Sequence, residues 1–414
     1  MSSTIGSFAQ TPQQTPAQTR QRVIGASPTP AASPSKTVVI TGTLPSPKPT
    51  ATPIIVGASQ NTNNPANTNT GGVYLSLGQI RQKLAEAKRE MTAKPMTIAM
   101  VDGIAPVSPL EIVRVAFYDR TTKNLDYVTM TKDAFLTKNG EYVLTSGAMK
   151  MIKFRTIRPN GVNTPVTIVD LNGVTHIPLM VQYPVVRGGV YYETAYYMST
   201  HPGLVTPEVI SAGKYYVAST IDSAREKLRQ RGITITPKAA DIAERLSIVE
   251  HVDHYRFRTE YHQNIYNDIF TLYALNEGQT YRYSVSSAGA GGMVQMIPST
   301  YRMIRNRFPA AGLMPDFVAG MQNHSNAAQA MLLYIQSTYD DLLMSPTIVN
   351  ALQTGQANEL ELLSAGYNSN PARLAGYIKR GGDNWRNLIP RETQIYLQIN
   401  ASLDRFVPII PRTR

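Results

Sequence analysis

A single carboxylate followed by a run of small residues is the part of this sequence best suited to chemistry. Glu277 ends the apolar segment NIYNDIFTLYALNE (264–277), and SSAGAGG (286–292) follows it. Glycine and alanine leave the backbone open to close approach by a large ligand. A carboxyl at the C-terminal end of an apolar helix faces the negative end of the helix dipole and loses hydration. Both effects raise its pKa, as a general acid for glycosidic cleavage requires.

The stretch from Glu277 to Thr300 resembles the catalytic domain of lytic transglycosylases of the soluble-lytic-transglycosylase group, which are relatives of goose-type lysozymes. That family carries Glu-Ser, then Ser-x-x-Gly-Ala-x-Gly-Leu-Met-Gln, then a helix that starts with Pro-x-Thr. The positions that fall in register without a gap are Glu277, Ser286, Gly289, Ala290, Gly292, Gln295, Pro298 and Thr300.

Three further segments are similar to family motifs and occur in family order. They are NHSNAAQAMLLYI (323–335), SAGYNSNPARL (364–374) and PRETQIYLQI (390–399). The resemblance covers roughly residues 250–405. The clearest departure is Gly278, which stands where the family has a serine after the catalytic glutamate.

The resemblance implies a mostly α-helical, lysozyme-like domain and a peptidoglycan lytic transglycosylase. Such an enzyme cleaves the β-1,4 bond between N-acetylmuramic acid and N-acetylglucosamine and forms 1,6-anhydro-muramoyl ends, without a metal or cofactor. Glu277 would act first as acid and then as base. Ser286 and Gln295 would bind the N-acetyl group or the sugar, Tyr367 would position Glu277 or the sugar ring, and Asn368 would support the groove.

Several alternatives stay open on the residues themselves. Ser286 is also suited to a turn, and Tyr367 to a hydrophobic core. A goose-type lysozyme would use the same glutamate with water as nucleophile. A non-catalytic peptidoglycan-binding component of an envelope or phage assembly would keep the groove and lose turnover, and Gly278 favours that alternative.

A second polar cluster, HVDHYRFRTEYH (251–262), contains three histidines and two acidic residues, Asp253 and Glu260. A metal site is conceivable there, but its spacing differs from the His-Glu-x-x-His of zinc peptidases. We therefore expect a solvated, pH-sensitive helix face at this position.

The elements around these motifs predict an α+β chain of several domains. Alternating β-branched and aromatic runs predict strands between about 95 and 200, and helical periodicity dominates from about 205 onward. We expect a disordered Pro/Thr/Asn-rich tail at 1–72, an amphipathic helix at 73–94, a β-rich module of unknown role at 95–204, a helical connector at 205–250, the lytic transglycosylase-like catalytic domain at 251–405 and a C-terminal tail at 406–414.

The composition of the chain limits the classes of partner that we expect it to bind. The net charge of +12 suits an anionic polymer such as the cell wall, whereas the scattered basic residues and the absence of nucleic-acid motifs argue against nucleic acid. No apolar stretch is long enough for a transmembrane anchor, and no signal peptide is visible. We expect the protein in the cell envelope or periplasm, or associated with a phage particle or a secretion complex, with peptidoglycan glycan strands as its partner.

Overall fold

The computed structural model describes residues 74–94, 96, 108–286 and 288–413. The tail predicted to be disordered at 1–72 lies outside these residues. Within them the fold is α+β, as the sequence predicts: seven strands form a curled antiparallel sheet, and thirteen α-helices pack on it and on one another. None of the helices described here is both long and apolar enough to cross a membrane.

The sheet lies between residues 112 and 197. Its strands are β1 (Ile112–Asp119), β2 (Asn124–Thr131), β3 (Glu141–Thr145), β4 (Met151–Thr156), β5 (Val166–Asp170), β6 (Thr175–Arg187) and β7 (Val190–Tyr197). They follow the order β2-β1-β6-β5-β4-β3, and β7 also pairs with β6. The long strand β6 therefore joins both halves of the sheet, and Val181 faces Val115 on one side and Tyr197 on the other.

The helices mostly follow the sheet in the chain. They are α1 (Leu77–Ala93), α2 (Lys132–Phe135), α3 (Pro207–Gln230), α4 (Pro237–Val249), α5 (His254–Thr259), α6 (His262–Asn276), α7 (Pro298–Arg307), α8 (Phe317–Gln322), α9 (His324–Leu343), α10 (Pro346–Gln353), α11 (Glu359–Asn368), α12 (Leu374–Gly381) and α13 (Arg391–Phe406). Helices α3 and α4 both begin with a Thr-Pro pair, in which Thr206 and Thr236 are N-caps whose hydroxyls accept a backbone N–H.

Helix α1 buries one face, formed by Ile80, Leu84, Ala87 and Met91, and begins with a capping box made by Ser76 and Gln79. Its buried face joins one hydrophobic cluster with residues of β1, β6, α3 and α6, among them Ala116, Leu179 and Leu275. The sheet and the helices thus share a core instead of packing as separate bodies. This shared core holds α6, at whose C-terminal end Glu277 lies.

Helices α3 and α6 approach each other closely at Gly213. A Cβ atom at this position would lie 1.9 Å from the carbonyl oxygen of Phe270. Only glycine lets the two backbones come this near. The close crossing buries α6 almost completely, from Ile265 to Asn276.

Candidate functional site

A cavity of about 760 Å³ lies between the sheet and the helices. One wall comes from the sheet side, including Lys132 at the start of α2, the loop 158–163 between β4 and β5, and Tyr183 on β6. The opposite wall comes from the helical side, including Glu250 after α4 and Asp268 on α6. The volume falls within the range of ordinary ligand pockets.

Glu250 is the most perturbed acid on this cavity. It forms the C-cap of α4, where the helix dipole opposes a negative charge. Burial, with a further contribution from the charge of Glu392, raises the pKa of Glu250 to about 8, against a hydrogen bond from Tyr396 that lowers it. The Tyr396 hydroxyl donates to Oε1 at 2.6 Å, and Oε2 has no hydrogen-bond partner among the described residues. Glu250 is therefore a protonated acid at neutral pH with one oxygen unpaired.

Residues of three separate motifs converge around Glu250. Tyr396 comes from the 390–399 segment. Tyr367 comes from the 364–374 segment, and burial, followed by the charge of Glu250, raises its pKa well above the ordinary value. Its hydroxyl donates to the Val294 carbonyl at 2.7 Å, next to Gln295 in the glycine-rich motif. The motif residues therefore surround Glu250 and not Glu277, the glutamate that the resemblance singles out.

Asn368 and Gln295 hold these motifs together. The Asn368 Oδ1 accepts a 2.8 Å hydrogen bond from the Thr393 hydroxyl, which ties α11 to α13. Gln295 adopts a left-handed backbone conformation, with φ of 45°. Its amide nitrogen donates to the Gly292 carbonyl at 2.8 Å and to the hydroxyl of Ser284, which lines the cavity, at 3.4 Å. Both side chains brace the site from within the fold.

The expectation of a buried Glu277 is wrong. Its side chain is 55% exposed, and Oε1 accepts a 2.9 Å hydrogen bond from Arg81 of α1. The C-cap conformation, with φ of 42° and ψ of −122°, turns the residue outward after α6. Glu277 is absent from the cavity lining, and its charge acts on Tyr216 and not on Tyr367. The prediction that Tyr367 positions Glu277 is therefore not supported by the geometry.

Ser286 lies in a turn rather than on the cavity. Its hydroxyl accepts from the Ala290 backbone N–H at 3.0 Å, and its own N–H donates to the Ala290 carbonyl at 2.9 Å. The side chain is exposed. This geometry matches the turn-forming alternative for Ser286.

The expectation of a solvated face at 251–262 is wrong for its first histidine. His251 precedes α5, and its ring stacks on Tyr281 with centroids 3.3 Å apart. Its Nε2 donates to the Met293 carbonyl at 2.9 Å, and burial lowers its pKa to about 3. His251 is a neutral ring that fixes the glycine-rich segment beside Glu250.

A second neutral histidine supports the segment after Glu277. The Thr280 carbonyl can only accept, so Nε2 of His324 donates to it at 2.8 Å, and Nδ1 accepts from the Tyr216 hydroxyl at 2.9 Å. Burial lowers the pKa of His324 to about 4. The two histidines thus brace residues 280–293 from both sides.

The other carboxylates that line the cavity already have structural partners. Asp268 accepts a 2.7 Å ion-paired hydrogen bond from Arg256, and Asp253 caps α5 by accepting from the Arg256 backbone N–H. Burial raises the pKa of Asp268 against the attraction of Arg256. Glu250 is therefore the acid on this cavity that is least committed to holding the fold.

Sequence reasoning missed Glu250, although a signal for it existed. IVEH (248–251) ends an amphipathic segment with a carboxylate, the same pattern that singled out Glu277. The register of the glycine-rich motif favoured the later glutamate. The decision between the two depends on which helix end faces the cavity, and that is a tertiary property.

Comparison of the chain with family models, with curated proteins and with solved structures finds no match. The residues and the geometry of the cavity are therefore what indicates a function.

Proposed function

We propose that the protein is a peptidoglycan lytic transglycosylase with a lysozyme-like helical domain, and that Glu250 is its catalytic acid and base. The observation that carries the proposal is the place of Glu250 on the wall of the cavity, with one carboxyl oxygen unpaired and with burial that raises its pKa to about 8. A general acid must hold its proton at working pH, and this carboxyl does so. The convergence of the resembling motifs on Glu250 supports the same assignment.

In the proposed reaction, Glu250 protonates the oxygen that joins N-acetylmuramic acid to N-acetylglucosamine. The acetamido carbonyl of the muramic acid stabilises its C1 as the bond breaks. The ionised Glu250 then takes the proton from the muramoyl 6-hydroxyl, which closes a 1,6-anhydro ring. No water is consumed, and Glu250 ends protonated as it began.

This one-carboxylate route agrees with the charges on the cavity. Most glycosidases use two carboxyl groups, one as acid and one as base or nucleophile. Here Asp268 is held by Arg256 and Asp253 by the N-terminus of α5, so neither is free for that role. Tyr396 stabilises the ionised form of Glu250 by hydrogen bonding, which helps it act as a base after the first step.

Glu250→Gln and Glu277→Gln form a matched pair that tests the proposal. We expect Glu250→Gln to lower the release of soluble fragments from purified sacculi at least about a thousandfold, because glutamine cannot donate a proton as an acid does. Glu277→Gln should stay within about threefold of the unaltered protein, because it breaks only an exposed ion pair. Mass spectrometry of the products measures both.

The products decide between the alternatives. Anhydro-muropeptides support the proposal, and reducing muropeptides indicate a goose-type hydrolase. The absence of products indicates a non-catalytic peptidoglycan-binding component. Full activity of Glu250→Gln together with loss of activity in Glu277→Gln would return the catalytic role to Glu277.

The proposal places the protein where peptidoglycan is found. It would work in the cell envelope or periplasm, or travel with a phage particle or secretion complex, to open the wall locally. The net charge of +12 favours adhesion to anionic wall polymers.

A further inference from the structure

The sheet side of the cavity carries two cations that make no hydrogen bond to a carboxylate among the described residues. Lys132, the first residue of α2, is only 8% exposed and lines the cavity. Its Nζ lies 4.9 Å from the centre of the Tyr183 ring. No hydrogen bond or ion pair joins it to another described residue. Burying an ammonium group without a counter-ion is costly, so a fold that keeps one points to a ligand that supplies the charge.

Arg158, in the loop between β4 and β5, has only a long ion pair with a carboxylate that it shares with a second arginine. Its nearest carboxylate oxygen is that of Asp268, 3.7 Å away, and the same oxygen is already held by Arg256 at 2.7 Å. Among the described residues, the guanidinium of Arg158 makes no hydrogen bond. Burial and the charge of Arg256 lower its pKa. Arg158 therefore presents free donors to the cavity.

Of the four acids whose charges act on these two cations, two are already bonded to Arg256. Glu111 is the acid whose charge reaches Lys132, and Asp268, Glu260 and Asp253 act on Arg158. Asp268 and Glu260 are both bonded to Arg256.

We propose that Lys132 and Arg158 form an anion subsite that binds a carboxylate carried by the muramic acid of the glycan strand. The identity of this ligand rests on the proposed function. Two sources supply the same chemistry: the lactyl carboxylate of a muramic acid without a peptide, and the free carboxylates of a stem peptide. Arginine and lysine bind such groups through charge-assisted hydrogen bonds. The sheet would then select substituted wall glycan over a neutral polysaccharide with the same backbone linkage.

The test measures binding by titration calorimetry in the Glu250→Gln background, so that no ligand is consumed. Three soluble oligosaccharides of equal length are compared: a chitin oligosaccharide without carboxylates, a peptide-free wall oligosaccharide with lactyl carboxylates, and a peptide-bearing wall oligosaccharide. We expect the carboxylate-bearing ligands to bind about tenfold more tightly than chitin or better. Lys132→Met should remove about that factor and leave chitin binding unchanged.

Lys153→Met is the matched control, because Lys153 is an exposed lysine on β4 and its loss removes the same charge. Arg158→Gln is the second test variant, on a surface loop where loss of folding is not expected. Loss confined to the peptide-bearing ligand identifies the stem peptide as the source, and loss on the peptide-free ligand identifies the lactyl group. Equal losses on all three ligands, or an equal effect of Lys153→Met, would overturn the subsite.

The binding titrations, together with the activity of Glu250→Gln, distinguish a failure of the anion subsite from a failure of the proposed function. Tight binding of wall oligosaccharides with no preference for carboxylates overturns the subsite and leaves the proposed function standing. Failure of any wall oligosaccharide to bind overturns both. Preference for carboxylates combined with an active Glu250→Gln variant supports the subsite and contradicts the assignment of Glu250.

Discussion

At the scale of single residues, the site depends on a carboxyl that the fold keeps uncharged. Glu250 lies at the negative end of α4, and the protein around it raises its pKa from 4.5 to about 8. A glutamate in the unfolded chain has a pKa near 4.5. The protein therefore gives up folding stability at neutral pH to keep this proton, as acids at functional sites do.

We predict that Glu250→Gln stabilises the protein at neutral pH. Between pH 4.5 and 8 the native carboxyl holds a proton that the unfolded chain has lost, so the stability of the unaltered protein falls as pH rises through this window. Glutamine removes this dependence. The gain in free energy of unfolding should reach about 3 kcal/mol at pH 7 and vanish below about pH 4.5.

Urea unfolding at a series of pH values measures this effect. Tyr396→Phe is the comparison, because it keeps Glu250 and should retain the falling stability between pH 4.5 and 8. Identical pH profiles for Glu250→Gln and the unaltered protein would contradict a raised pKa.

The contrast with Glu277 shows the limit of sequence reasoning at this scale. Both glutamates follow an apolar helix, and the glycine-rich register favoured Glu277. What separates them is a contact between Arg81 and Glu277, 196 positions apart in the chain. Local periodicity carries no information about such a contact, so the exposure of Glu277 could not be predicted.

At the scale of secondary structure, local signals predicted much of the chain. Periodicity predicted the helix found as α1 and the helical character of the chain after about residue 205, because amphipathic faces are local properties. The strands between 112 and 197 were predicted from alternation. The order of the strands in the sheet could not be predicted, because the pairing of β1 with β6 joins residues that lie far apart in the chain.

The crossing of α3 and α6 yields a prediction at this scale. Gly213→Ala should destabilise the protein by about 1–3 kcal/mol or more, because the added methyl group meets the Phe270 carbonyl and forces the helices apart. Gly78→Ala, on the exposed face of α1, is the control and should be neutral or stabilise by up to about 1 kcal/mol. Thermal unfolding followed by circular dichroism compares the two. Equal melting temperatures would show that the helices tolerate the extra atom.

At the scale of the whole molecule, the sheet and the helices form one cooperative core. Ala274 and Leu275 of α6 and Val209 of α3 pack against residues of α1 and the sheet. A sequence pattern can separate a β-rich segment from a helical one, but it does not show that their apolar faces cover each other. The cavity arises at this boundary, so its existence was also beyond sequence reasoning.

A shortened chain tests whether the sheet and the helices unfold as one cooperative unit. We expect residues 205–414 alone to lack a cooperative thermal transition, because removing α1 and the sheet exposes the apolar ends of α3 and α6. A chain that begins at residue 74 should keep the transition of the full protein. A sharp, reversible melt of 205–414 would instead identify the helical part as an independent domain.

The two neutral histidines that hold the ends of the 280–293 segment make the protein sensitive to acid. His251 and His324 bind backbone carbonyls through Nε2, and their folded-state pKa values of about 3 and about 4 lie below the ordinary 6.5. Unfolded rings take up a proton near pH 6.5, so the native state loses stability as pH falls from there. Acidification from about pH 6.5 towards pH 4 would therefore lower the stability of the fold that holds the 280–293 segment, with no change to the covalent structure of the protein.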